Sequence, residues 1–109
     1  MKIFEVSSQV SVSGEYILGL EATGSQACYL IYGLLQGLEK GRQIKPGRGH
    51  EELILVLKGN LRYTGSGEGL IPEGRAVHLR GEETIYLENP SADTACYVIA
   101  GGHSEGGHH

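Results

Sequence analysis

Residues 49–59 read Gly-His-Glu-Glu-Leu-Ile-Leu-Val-Leu-Lys-Gly. A histidine and two acids run directly into five consecutive aliphatics, Leu53 to Leu57. A run of that length, closed by Lys58 and Gly59, is too short for a core helix and suits a buried strand. Strand side chains alternate in direction, so Arg48, His50, Glu52 and Ile54 share one face if the strand is regular. One strand therefore carries groups suited to chemistry beside groups suited to a core.

Outward from this stretch, short apolar segments recur with turn residues between them. On the N-terminal side stand "KIFEV" (2–6), "VSVSG" (10–14), "EYILGLEA" (15–22) and the long apolar run within "QACYLIYGLLQGLEKG" (26–41), followed by a polar loop, "RQIKPGRG" (42–49). In the long run, Tyr, Ile, Cys and the interior glycines favour one long or two short strands over a helix. On the C-terminal side stand "NLRYTGSGEGL" (60–70), "IPEGRAVHLRG" (71–81), "ETIYLENPS" (83–91) and "TACYVIAGG" (94–102). Roughly nine or ten strands with closely spaced turn signals predict an all-β sandwich or barrel. The 18 glycines and 3 prolines fit tight turns between short strands. The expected domain is residues 1–100, with residues 101–109, "GGHSEGGHH", as a flexible Gly/His-rich tail.

At 109 residues and 39% apolar composition, the chain suits one domain with a core of its own. A net charge of −4 without a basic stripe argues against nucleic acid as a partner. No apolar run reaches the length of a membrane helix, and "MKIFEVSSQV" lacks the apolar core of a signal peptide, so the expected location is cytoplasmic. Cys28 and Cys96 lie in separate apolar segments and read as reduced core thiols.

The stretch from Pro46 to Gly102 resembles the cupin superfamily, with residues 28–100 covered by the likeness. Glu52, six residues and Gly59 match the second half of the first cupin motif. Pro72, Glu73 and Gly74 match the first half of the second motif, and His78 follows one residue later than that motif asks. Counted back from Glu52, the first motif's two histidine positions hold Pro46 and Arg48. Asn89 lies too far along to be the second motif's Asn, and "NPS" resembles the turn many cupins place before the last strand. The resemblance implies a small cupin-type jelly-roll β-barrel, and a homodimer paired through strand edges or barrel faces.

His50, Glu52 and His78 are the candidate metal site, provided a bulge or turn brings His78 inward. Two imidazoles and a carboxylate suit a divalent transition metal: Zn, Fe, Ni, Mn or Cu. The tail adds His103, His108 and His109 as auxiliary ligands. A buried carboxylate needs a partner, and Arg48 or Arg75 would serve Glu52 if no metal does. Glu82 and Glu83 read as a solvated turn. The tyrosines, Tyr29, Tyr32, Tyr63, Tyr86 and Tyr97, read as packing residues that offer a hydroxyl or two to a small polar ligand. Three functions stay open. One is a metal-binding cupin, with metal-assisted chemistry on a small polar metabolite as the activity that the resemblance implies. The second is a metal-free small-molecule-binding or regulatory module. The third is metal handling through the histidine-rich tail.

Overall fold

A computed structural model describes residues 1–104. Nine strands form two antiparallel sheets: β1 (Glu15–Leu18), β2 (Cys28–Leu35), β3 (Lys40–Ile44), β4 (His50–Lys58), β5 (Leu61–Gly65), β6 (Gly69–Ile71), β7 (Ala76–Arg80), β8 (Ile85–Glu88) and β9 (Ala95–His103). The five-stranded sheet runs β1-β2-β9-β4-β7 and the four-stranded sheet runs β3-β8-β5-β6. The only helical pieces among the described residues are a 3-10 turn at Ser7–Gln9 and one α-helical turn, α1 (Leu20–Thr23). Among the described residues, no helix is long and apolar enough to cross a membrane.

The inner faces follow from the two-residue strand period. In β4, Glu52, Ile54 and Val56 are buried while Leu53 and Leu57 are exposed. Leu35 of β2, Ile99 and Tyr97 of β9, and Leu79 of β7 meet Leu61, Ile71, Ile85, Leu87 and Ile44 of the other sheet in a single core. Gly59 at φ 88° and Gly74 at φ 82° make the turns after β4 and before β7, where a side chain would be strained. The Gly74 turn docks back on β4, with Gly74 N–H donating to the Val56 carbonyl and Val56 N–H to the Arg75 carbonyl. Asn89 is fully buried, and its amide donates to the carbonyls of Leu35, Gln36 and Asp93. It pins the "NPS" turn ahead of β9.

Several expectations change. "KIFEV" and "VSVSG" form no strand. "RQI" belongs to β3, because Ile44 enters the core while Gln43 and Lys45 face out. β9 continues through Gly101, Gly102 and His103, so the ordered sheet reaches past residue 100. Residues 105–109, with His108 and His109, lie outside the described residues. Both cysteines are free, but Cys28 is exposed and only Cys96 is buried, because Cys28 sits on the outer side of β2.

Candidate functional site

Register across the five-stranded sheet sets the site in layers. Glu15 (β1), Gly33 (β2), Tyr97 (β9) and Val56 (β4) lie side by side in one inward row. The next row is Ile17, Ile31, Ile99, Ile54 and Val77. Above it come Tyr29, Gly101, Glu52 and Leu79. His50 and His103 face each other at the end. Polar groups thus stand at both ends of the barrel's inner face, with an aliphatic layer between them.

The Tyr29 row holds the buried carboxylate. Glu52 is 5% exposed, and its Oε2 accepts a hydrogen bond of 2.5 Å from the Tyr29 hydroxyl. Tyr29 stands two strands away and reaches Glu52 by lying across Gly101, where a Cβ would overlap the ring. Burial pushes the Glu52 carboxyl above its ordinary range, against the opposing pull of the Tyr29 bond. Burial, with the Glu52 bond and charge, also raises the Tyr29 phenol, so that hydroxyl stays protonated as the donor. The His50 ring lies 6.1 Å from Tyr29 edge-on and 5.1 Å from His103. His50 Nδ1 is 3.2 Å from the Arg48 carbonyl, and His103 Nε2 is 2.9 Å from the Gln26 carbonyl.

The same device recurs at the other end of the sheet. Tyr97 lies across Gly33 to donate to Glu15, and Arg42 Nη1 donates to the Tyr97 oxygen at 2.9 Å. Arg42 also bonds Glu39 at 2.7 Å and the Leu34 carbonyl at 3.0 Å. Here the charges are paired and partly buried, which makes this end a structural closure. Beside the Tyr29 end, Ile17 is 59% exposed. A cleft of about 290 Å³ opens there along Ile17, Gly19, Leu20 and Glu21, and a Cβ at Gly19 would lie 3.6 Å from Tyr29 Cβ.

The expected convergence of His50, Glu52 and His78 does not occur. His78 pairs with Leu53, not with an inward residue, and is exposed on the outer face. Its Nε2 is 2.8 Å from Glu51 Oε1, and Arg80 Nε is 3.8 Å from the same oxygen. The reason is phase. A shift of one residue turns a strand side chain to the opposite face, and Val77 occupies the inward position one residue earlier. The cupin histidine positions therefore hold Pro46, Arg48 and Val77, and Glu52 alone keeps its donor. Among the described residues, no three His, Cys, Asp or Glu side chains gather closely enough to hold an ion. The donor set does not fit the metal that the resemblance implies.

Glu52 takes its partner from Tyr29, not from Arg48 or Arg75. The sequence offered one overlooked signal for this. Glycines at 33 and 101 stand on strands rich in bulky residues, and a strand glycine marks a close approach by a neighbour. Glu82 and Glu83 do lie at a solvated turn, bonded to Lys45 and to the Arg80 N–H.

No family model matches the sequence, and no curated protein matches it. Solved structures do match. A Cupin 2 conserved barrel domain protein from Salinispora arenicola superposes with a TM-score of 0.74 at 12% identity, over 99% of this chain and 93% of that one. The cupin domain of an XRE-family transcriptional regulator from Enterobacter cloacae gives 0.67 at 14% identity, over 84% and 99%. A sugar phosphate isomerase of the cupin superfamily from Silicibacter pomeroyi gives 0.64 at 16% identity, over 94% and 68%. Likeness at these identities establishes architecture: the chain has the cupin fold.

Proposed function

We propose that this cupin-fold chain is a metal-independent binding module for a small polar molecule, received where Tyr29, His50, Glu52 and His103 meet. The observation that carries the reading is the Tyr29–Glu52 bond. The carboxylate at the cupin glutamate position accepts from a phenol. A carboxyl held in this way keeps Oε1 as an acceptor, or as a donor once protonated, while the imidazoles supply further hydrogen-bonding nitrogens. The exposed Ile17 beside the cleft offers apolar surface to the rest of the ligand. The ligand class is therefore small, with a hydroxyl or amine for Glu52 and an apolar portion for the aliphatic layer. No group here is arranged as nucleophile and base, so the reading is binding or regulation. The similarity to a cupin domain of a transcriptional regulator agrees with such a role.

The test is a thermal-shift screen of small hydroxy acids, sugars and amines on the full chain. A stabilising compound should lose its effect in Glu52→Gln and His50→Ala and keep it in His78→Ala. A compound that binds equally well to Glu52→Gln would overturn the site.

A second reading rests on the facing imidazoles. His50 and His103, 5.1 Å apart, would anchor Zn, Ni or Cu with His108 and His109 adding donors. Elemental analysis of untagged protein, whole and ended after Ser104, separates the two. Near-stoichiometric metal lost with the tail supports metal handling. Metal kept by the shortened chain and lost in Glu52→Gln would refute metal independence.

A further inference from the structure

The outer face of the four-stranded sheet presents one aromatic ring to solvent. Tyr86, within β8, is 42% exposed and stands between Gln43 of β3 and Thr64 of β5. The next outward row is Lys40–Glu88–Arg62, ending at Leu70 on β6. Two cations thus flank a single carboxylate, on a chain whose net charge is −4. Arg62 Nη1 lies 3.7 Å from Glu88 Oε2. That is too far for a close charge-assisted hydrogen bond, so the guanidinium keeps donors for another acceptor. Lys40 forms no ion pair among the described residues.

The face is also dented. The register shifts between Lys40 and Arg42, where Gly41 bulges out at φ 87°. No atom lies within 4 Å of where a Gly41 side chain would begin. A bulge bends its strand and re-aims the neighbouring side chains. Lys40, Gly41, Arg62, Thr64, Tyr86 and Glu88 line a concavity of about 210 Å³ here. A second, of about 390 Å³, adjoins it across Arg62 and Thr64 and reaches Leu70. Together they have the size of an ordinary small-ligand site.

We propose that this face binds a mononucleotide, with its base stacked on Tyr86 and its phosphate held by Lys40 and Arg62. Spacing is the first argument. Tyr86 and Glu88 are two residues apart on one strand, so the aromatic and cationic rows lie about 7 Å apart. A base joined to phosphate through a ribose spans that gap. A ring carrying its carboxylate directly does not. Lys40 and Arg62 stand on the strands either side of β8, about 10 Å apart at the backbone, within reach of one phosphate from both sides. Chemistry is the second argument. A phenol ring takes the flat face of any base, and the Gln43 amide beside it offers a donor and an acceptor to the base edge. Arginine and lysine together suit a phosphate. A neutral sugar would leave both cations unused, and an inorganic anion would leave the ring unused.

The experiment is a titration of the full ¹⁵N-labelled chain with adenosine 5′-monophosphate at low salt, followed by amide chemical shifts. The shifts should cluster on β3, β5 and β8. Adenosine and ribose 5-phosphate, each lacking one of the two contacts, should bind about tenfold more weakly or worse. Tyr86→Ala and Arg62→Gln should each weaken the mononucleotide by a similar factor, while Tyr86→Phe and His78→Ala keep its affinity. Glu88→Gln should tighten binding, because the carboxylate competes with the phosphate for Arg62. Should Tyr86→Ala lose its circular dichroism, Arg62→Gln and the two half-ligands decide. No shift at about 10 mM mononucleotide, where even a millimolar site fills, overturns the inference. So do ribose 5-phosphate or adenosine binding as tightly as the mononucleotide, and shifts gathered around Glu52 in place of Tyr86.

Discussion

Replacing Gly101 by Ala tests the phenol that crosses it. A Cβ at that position would lie 2.6 Å from the Tyr29 hydroxyl oxygen and closer still to two ring carbons. The ring can swing away, so the fold survives, but the hydrogen bond to Glu52 does not. Losing a bond to a charged acceptor costs about 1.5–3 kcal/mol. Alanine recovers about 0.5–1 kcal/mol, because glycine is a poor strand residue. The expected net loss is about 1–2 kcal/mol. With a urea slope of about 1.5 kcal/mol/M, the unfolding midpoint falls by roughly 1 M. In a Tyr29→Ala background no ring remains to collide with, so Gly101→Ala should stabilise by about 0.5–1 kcal/mol. The sign of one substitution thus reverses with its neighbour, a coupling of about 1.5–3 kcal/mol. Urea titrations of the four proteins at one fixed concentration complete the cycle. Equal effects of Gly101→Ala in both backgrounds would refute the crossing geometry.

The pH dependence of Glu52→Gln follows from burial. The folded-state carboxyl is raised above its unfolded value, so wild-type stability from this group is full below the unfolded value and is lost as pH rises through the folded one. Glutamine does not titrate, so the stability of the variant relative to wild type should grow from pH 4 to pH 8 in denaturation curves; a difference that shrinks over that range contradicts a raised carboxyl. Asn89→Ala removes a fully buried amide that donates to three carbonyls, and it should cost at least about 2 kcal/mol in the same assay. His78→Ala removes one arm of an exposed pair, which should cost no more than about 1 kcal/mol and leave the fluorescence of Tyr29 unchanged.

The architecture was readable because its signals are local. Leu53–Leu57 between charged residues and a glycine could hardly be other than a strand, and Gly59 and Gly74 stand where the chain turns with positive φ. Counting in twos puts Glu52 on one face with Ile54, and the cupin resemblance turns that face inward, as it is. His78 would turn inward only if the extra residue before it were absorbed by a turn or bulge, and β7 pairs with β4 without one. Tyr29 and His103 were harder to assign. Their meeting with Glu52 and His50 depends on β9 lying between β2 and β4, a long-range pairing that no local pattern encodes. "RQI" has the composition of a loop because β3 is an edge strand of the four-stranded sheet, with only Arg42 and Ile44 turned inward.

The two phenols run in opposite senses, one from β2 over β9 to β4 and the other from β9 over β2 to β1. Together they lash four neighbouring strands with side-chain crossbars, on top of their backbone ladders. Peeling the outermost strand, β1, off the sheet therefore means surrendering a carboxylate anchored two strands inward. The amide hydrogens within Glu15–Leu18 that bond to β2 should accordingly exchange at the rate of the central strands and not with the early fraying usual at a sheet margin.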